Sequence, residues 1–174
     1  QEAELTTDPL EASKLYQRMG RIEEQMLMNR EGAADAYRRA LELDPEAIVA
    51  IESLKSMASD SEDWGSYIRY LKMEIEITED EEDRFELHVE AADYYDRVEE
   101  DDLKALEQLE RAIDIDPADV NCTAKLAEYH FRNDNYEASG QYYRRLLNLT
   151  DGSASAVDTC HRKYRLGYTY EKLE

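Results

Sequence analysis

Apolar residues recur at steps of three and four along almost the whole chain, the spacing of helices that bury one face. Leu15, Met19, Ile22 and Met26 form one such stripe, and after a break at residues 29–32 Ala33, Tyr37 and Ala40 begin another. The pattern predicts a helix, a short turn and a helix. A second pair follows Pro45: "IVAIESLKSMA", a polar break, then "SEDWGSYIRYLKMEIEI" with Trp64, Ile68, Leu71 and Ile75 in register. "LHVEAADYYDRV" and "LKALEQLERAIDIDP", joined by an acidic turn, predict a third pair. "KLAEYHFRNDNYEASGQYYRRLL" predicts a fourth, and "YRLGYTYEKLE" opens a fifth. Only three prolines and six glycines interrupt the 174 residues, which favours long helices over tight β-hairpins.

The pairs repeat one another. "RRALELDP" at 38–45 returns as "ERAIDIDP" at 110–117, and "ELTTD" at 4–8 realigns with "EITED" at 76–80 at the same offset. The first phrase ends in Asp-Pro in both copies, which closes a helix at the residue before the proline. Two helix pairs lie between one phrase and its return, so the unit averages about 36 residues, a length typical of helical repeats.

These residues carry a resemblance. Leu-Gly or Leu-Ala in a first helix, then Ala…Tyr/Leu…Ala…Pro in a second, resembles the tetratricopeptide repeat, a helical hairpin of about 34 residues. The matches in first helices are Met19-Gly20, Ala91-Ala92, Leu126-Ala127 and Leu166-Gly167. In second helices they are Ala33, Tyr37, Ala40 and Pro45; Ala105, Leu109, Ala112 and Pro117; and Ser139, Tyr143 and Leu146. Small residues at these places let helices approach where larger ones would overpack. The second unit departs most, with Lys55 and Tyr67 where small residues are expected, and the fourth lacks its proline. The resemblance implies an all-α, right-handed helical-hairpin solenoid of about nine helices. Its organisation would be the tail of a preceding helix at 1–8, repeats at 9–45, 46–83, 84–117 and 118–154, and the first helix of a fifth at 155–174. Neither end carries the polar cap usual for solenoids, so the expectation is a segment of a longer array.

Composition narrows the function. Charged residues make up 36% and hydrophobic residues 42%, a mix that fits a soluble folded chain, and no apolar run approaches the ~18 residues of a membrane span. The net charge of −21 argues against nucleic acid and anionic membrane surfaces as partners. It leaves a basic partner, simple solubility, or adaptation to salt, and the 14 Arg against 7 Lys suit the last. Cys122 and Cys160 lack a CxxC or a paired His, so neither a disulfide framework nor a metal site is expected, and a single bridge between neighbouring helices is the lesser alternative. The sequons at 121–123 and 148–150 would matter only in a eukaryotic secretory pathway.

Catalysis finds no constellation. His88, His130 and His161 fall in different repeats, and no phosphate loop, HExxH or nucleophile elbow occurs. The acidic runs at 79–83 and 99–102, and "RNDNYE" at 132–137, lack the ligand order of a calcium loop and read as solvated turns. The expectation is a chain that is not an enzyme and takes no cofactor.

The 13 Tyr against 2 Phe suit half-buried helix seams, the expected role of Tyr37, Tyr94, Tyr95 and Tyr143. By the resemblance, first helices line a concave groove that takes a peptide or helix. Its stripe would be Gln17, Arg21 and Glu24; then Glu86, Val89, Asp93 and Asp96; then Asn121, Glu128 and Phe131; then Tyr164, Tyr168 and Glu171. That stripe is mainly acidic, with aromatic footholds toward its C-terminal half, and its complement is a basic segment. The Lys, Asn and Arg with which family members clamp acidic chaperone tails are missing, Arg21 nearly alone excepted. The expected function is a protein–protein interaction scaffold. Its rivals are an acidic chaperone that sequesters basic proteins and a spacer arm that self-associates end to end through the last helix, around Leu166 and Tyr170.

Overall fold

The structure, a computed structural model, describes residues 8–151 and 155–173. The expected helix tail at 1–8 therefore falls outside the described residues except for Asp8. The described chain is all-α and built of helical hairpins, and it divides into two compact units between Glu79 and Asp80. The first unit holds α1 (Pro9–Gln25), α2 (Arg30–Leu43), α3 (Ile48–Asp60) and α4 (Trp64–Ile77). The second holds α5 (Glu81–Tyr94, prolonged by a π-helical turn Tyr95–Glu99), α6 (Asp102–Ile115), α7 (Val120–Arg132), α8 (Tyr136–Leu149) and α9 (Ala156–Leu173).

The echo between the two Asp-Pro phrases is a duplication of a whole two-hairpin block. Helices α6, α7 and α8 start and end at the offset of those phrases from α2, α3 and α4. The turns obey the same offset. Each first helix of a complete hairpin is followed by one residue in the left-handed region: Met28, Glu62, Glu100 and Asp134. The next residue caps the second helix with its side chain, through Asn29, Asp63, Asp101 and Asn135. Closure alternates with the block. Asn29 N–H donates to Glu23 O and Asp101 N–H to Tyr95 O across six residues, whereas Asp63 and Asn135 donate to Ala58 and His130 across five.

Asp44 and Asp116 stop α2 and α6 before proline and accept from the N–H of Glu46 and Ala118, which turns the chain into the next hairpin. The acidic run at 79–83 is not a turn. Asp80 caps α5, and Glu81, Glu82 and Asp83 fill its first turn, where the positive end of the helix favours carboxylates. In the run at 99–102 Glu99 ends the π-turn, Asp101 is a cap and Asp102 starts α6, whereas 133–135 form the expected turn between Arg132 at the end of α7 and Tyr136 at the start of α8.

Small residues set the crossings. Ala33, Ala40, Ala105, Ala112 and Ser139 are fully buried. At Gly20 an added Cβ would lie 2.6 Å from the Tyr37 ring, so only glycine lets α1 and α2 meet there. This overturns the apolar stripe read along α1. Met19, Ile22 and Met26 are exposed, Met26 at 76%, and α1 instead buries Ala12, Ser13 and Gly20. A tight crossing takes the small residues, and the stripe one step around the helix is left outside it. Tyr37, Tyr94, Tyr95 and Tyr143 are buried as seam residues, and the hydroxyls of three are held by acids, Tyr37 with no exposed surface at all: Tyr37 donates to Glu24 (3.0 Å), Tyr94 to Glu99 (3.2 Å) and Tyr143 to Glu128 (2.6 Å).

The divergent hairpin α3–α4 has its own solution. Lys55 and Glu74 form an ion pair of 2.7 Å, with only 16% and 10% of their side chains exposed. Their counterparts in the second copy of the block are Ala127 and Leu146, members of the apolar core of α7–α8. Tyr67, the other outsized residue, meets Trp64 edge to face at 5.7 Å. Among the described residues both cysteines are free thiols. Cys122 is buried, and burial pushes its thiol up to about 12, which leaves it inert.

Candidate functional site

The first helices of the second unit carry several groups of charge pairs and aromatic rings. From α5, Asp93 pairs with Lys125 of α7. From the π-turn, Asp96 faces Arg132 at 3.8 Å, and Arg132 also reaches Asp102 at 3.1 Å and lies over the Tyr129 ring at 4.5 Å. From α7, Glu128 accepts from Tyr143 and pairs with Arg165 of α9 at 3.2 Å. Burial first, and then Glu128, raises the Tyr143 phenol well above its ordinary range, so it stays a donor.

Next to that pair lies an aromatic cluster. Phe131 sits 5.8 Å from Tyr136 and 5.5 Å from Tyr168, ring centre to ring centre, and Tyr136 is 6.2 Å from Tyr168. The Arg165 guanidinium covers Phe131 at 4.1 Å. Tyr136 donates to Asp134 at 2.5 Å, and that hydrogen bond pushes its phenol up to about 12. With Tyr164, 67% exposed, these groups line an open cleft of about 380 Å³. Flat rings with an arginine and two carboxylates at the rim can hold an apolar or aromatic side chain and fix polar groups beside it.

The expected stripe is thus divided. Glu128, Phe131, Tyr164 and Tyr168 come together at this cleft. Asp93 and Asp96 are tied into ion pairs, Val89 is half-buried, and Glu86, Asn121 and Glu171 are exposed beyond the cleft. In the first unit, Gln17 donates to Ser13 Oγ at 3.3 Å, Glu24 accepts from Tyr37 and Arg21 is exposed. The stripe is therefore less negative than its acids alone suggest, because Lys125, Arg132 and Arg165 neutralise Asp93, Asp96 and Glu128. Those three bases, with Tyr136 and Asp134, are the residues sequence reasoning missed. Tyr136 and Asp134 lie inside "RNDNYE", whose pattern reads as a solvated turn. Lys125 and Arg165 reach acids on other helices, beyond any local pattern.

The hairpin does not require these side chains. The first unit's counterparts of Glu128 and Phe131 are Ser56 and Ser59, and the hairpin still forms.

Comparisons define the class. Solved structures with the same fold include MamA (18% identity, 92% of this chain and 81% of that chain covered, TM-score 0.55). Another is YrrB, described as a TPR protein with an unusual peptide-binding site (15% identity, 94% and 75% covered, TM-score 0.55). A third is PilF of Pseudomonas aeruginosa (15% identity, 98% and 78% covered, TM-score 0.55). The chain has the tetratricopeptide-repeat fold, an all-α solenoid of helical hairpins. No family model and no curated protein sequence matches it.

Proposed function

We propose that the chain is a non-catalytic protein–protein interaction scaffold that holds a peptide or helix of a partner against its first helices. The observation that carries this reading is the half-exposed ring cluster Phe131, Tyr136 and Tyr168 under Arg165, with Tyr164 beside it. Rigid aromatic anchors around an open cleft are what binding hot spots are made of. The exposed acids Glu86 and Glu171 would extend the contact along the partner and favour one with basic groups. In the first unit, Gln17, Arg21 and Glu24 of α1 would offer a face of their own. The peptide-binding site named for YrrB lends this reading analogy only.

A peptide-display library selected against the chain tests it. The expected result is a defined motif whose affinity falls at least tenfold in Phe131→Ala/Tyr168→Ala while the far-ultraviolet circular dichroism stays unchanged. Broad capture of cationic peptides by both versions, lost at moderate salt, would instead identify an acidic sequestering module. Mass that rises with concentration and falls in Tyr170→Ala would identify a self-associating arm.

A further inference from the structure

A second cleft lies on another surface, between the second helices α2 and α4 of the first unit. It encloses about 400 Å³. Its floor is Leu54, Met57 and Tyr70, and its rim carries three arginines, Arg30, Arg38 and Arg69. Three arginines around one cleft are notable in a chain of net charge −21. The rim acids are Glu31 and Asp63, and Asp63 is engaged as the cap of α4.

The duplicated block contains the same cleft again, between α6 and α8. There Arg38 is replaced by Glu110, Arg69 by Gln141 and Ala58 by His130, while Tyr70 is matched by Tyr142. The one arginine lining that cleft among the described residues, Arg145, stands at the place of Met73 and donates to the Pro117 carbonyl. The two copies therefore separate what the fold needs from what it does not. Arg30 pairs with Asp60 at 2.9 Å, and the counterpart pair, Asp102 with Arg132 at 3.1 Å, has its charges exchanged. Arg30 is thus accounted for as a helix tie. Arg38 and Arg69 are not, since glutamate and glutamine serve the same places. Arg38 holds Asp35 in a surface pair 57% and 70% exposed, and such pairs contribute little. Arg69 hydrogen-bonds the Tyr70 hydroxyl at 2.7 Å, lies over the Tyr70 ring at 4.6 Å, and acts through its charge on the rim acid Asp63.

We infer that the α2–α4 cleft binds an acidic peptide segment of a partner protein, one that places an aliphatic or aromatic side chain on the Leu54–Met57–Tyr70 floor and a carboxylate between Arg38 and Arg69. Guanidinium groups match carboxylates in geometry as well as charge. Two acids on the same rim offset most of a second ligand charge, which selects a carboxylate over a phosphate dianion. The site is independent of the first-helix cleft and takes a partner of opposite sign, so one chain can bridge two proteins.

The test uses the full chain with the Met57 methyl labelled for nuclear magnetic resonance. The probes are short peptides that pair Leu or Phe with Glu, matched peptides with Gln for Glu, and inorganic phosphate. Expected is a saturable shift of Met57 with the Glu peptides, at least tenfold weaker with the Gln peptides. Arg38→Glu/Arg69→Gln should weaken it at least tenfold too. That variant installs the residues of the second copy, so its melting temperature should hold. Equal binding by Gln peptides, an unaffected variant, a stronger response to phosphate, or no shift at millimolar peptide would each overturn the proposal.

Discussion

At the scale of the residue, the two copies of the block show how paired sizes are exchanged without loss of packing. Gly20 under Tyr37 in the first copy corresponds to Ala92 and Leu109 in the second, all four buried. The smaller residue accompanies the larger ring. Gly20→Ala should therefore cost about 1–3 kcal/mol, because the Cβ meets the ring of Tyr37. Gly167→Ala should stabilise by about 0.5–1 kcal/mol, because a Cβ there meets nothing within 4 Å and alanine favours the helix. Urea unfolding of both variants checks the contrast, and equal effects would reject the crossing argument. Glycine of the same motif position thus has opposite meanings in α1 and α9, which the Met-Gly and Leu-Gly pairs alone did not distinguish.

At the scale of the element, hairpin α3–α4 replaces an apolar contact by the Lys55–Glu74 pair. Burying two charges costs desolvation that their attraction only partly returns, whereas removing one partner strands the other. Lys55→Ala alone should destabilise by about 3–5 kcal/mol. Lys55→Ala/Glu74→Leu, the residues of hairpin α7–α8, should return to within about 1–2 kcal/mol of the parent or exceed it. A double-mutant cycle by thermal unfolding measures the coupling, and additive single effects would show that the pair does not act as a unit. The helix pairs and their stops were legible in the sequence because period, caps and Asp-Pro are local signals. The ion pair was not: Lys55 stood out only as too large for its place, and its acid stands on the next helix, where no local pattern links the two.

At the scale of the whole molecule, pH acts through histidines buried in the neutral form. Burial lowers the pKa of both His88, hydrogen-bonded to Gln108 at 2.9 Å, and His130, stacked on Tyr142 at 5.4 Å. Arg111 and Arg84 push His88 further down, and Glu110, 4.0 Å from His130, opposes its shift. The unfolded chain takes up protons near pH 6.5 and the folded chain only below that, so this part of the stability is present above pH 6.5 and lost as pH falls toward the folded values. Melting temperature should therefore decline from pH 7.5 to 5.5, and His88→Tyr/His130→Ala, the first-copy residues Tyr16 and Ala58, should flatten that decline. An unchanged slope would assign it to the carboxylates.

The sequence by itself determined the helical hairpins, their period and the duplication of the block, because hydrophobic spacing, capping residues and helix-stopping prolines act within a few residues of where they stand. It also singled out Phe131, Tyr164 and Tyr168, which line one cleft, though not their surroundings. Only the tertiary structure decided which face of α1 is buried, which acids of the stripe are neutralised by Lys125, Arg132 and Arg165, and that Arg38 and Arg69 converge on one cleft. Those outcomes depend on side chains brought together from different helices, where close approach and charge pairing are set by packing and not by distance along the chain.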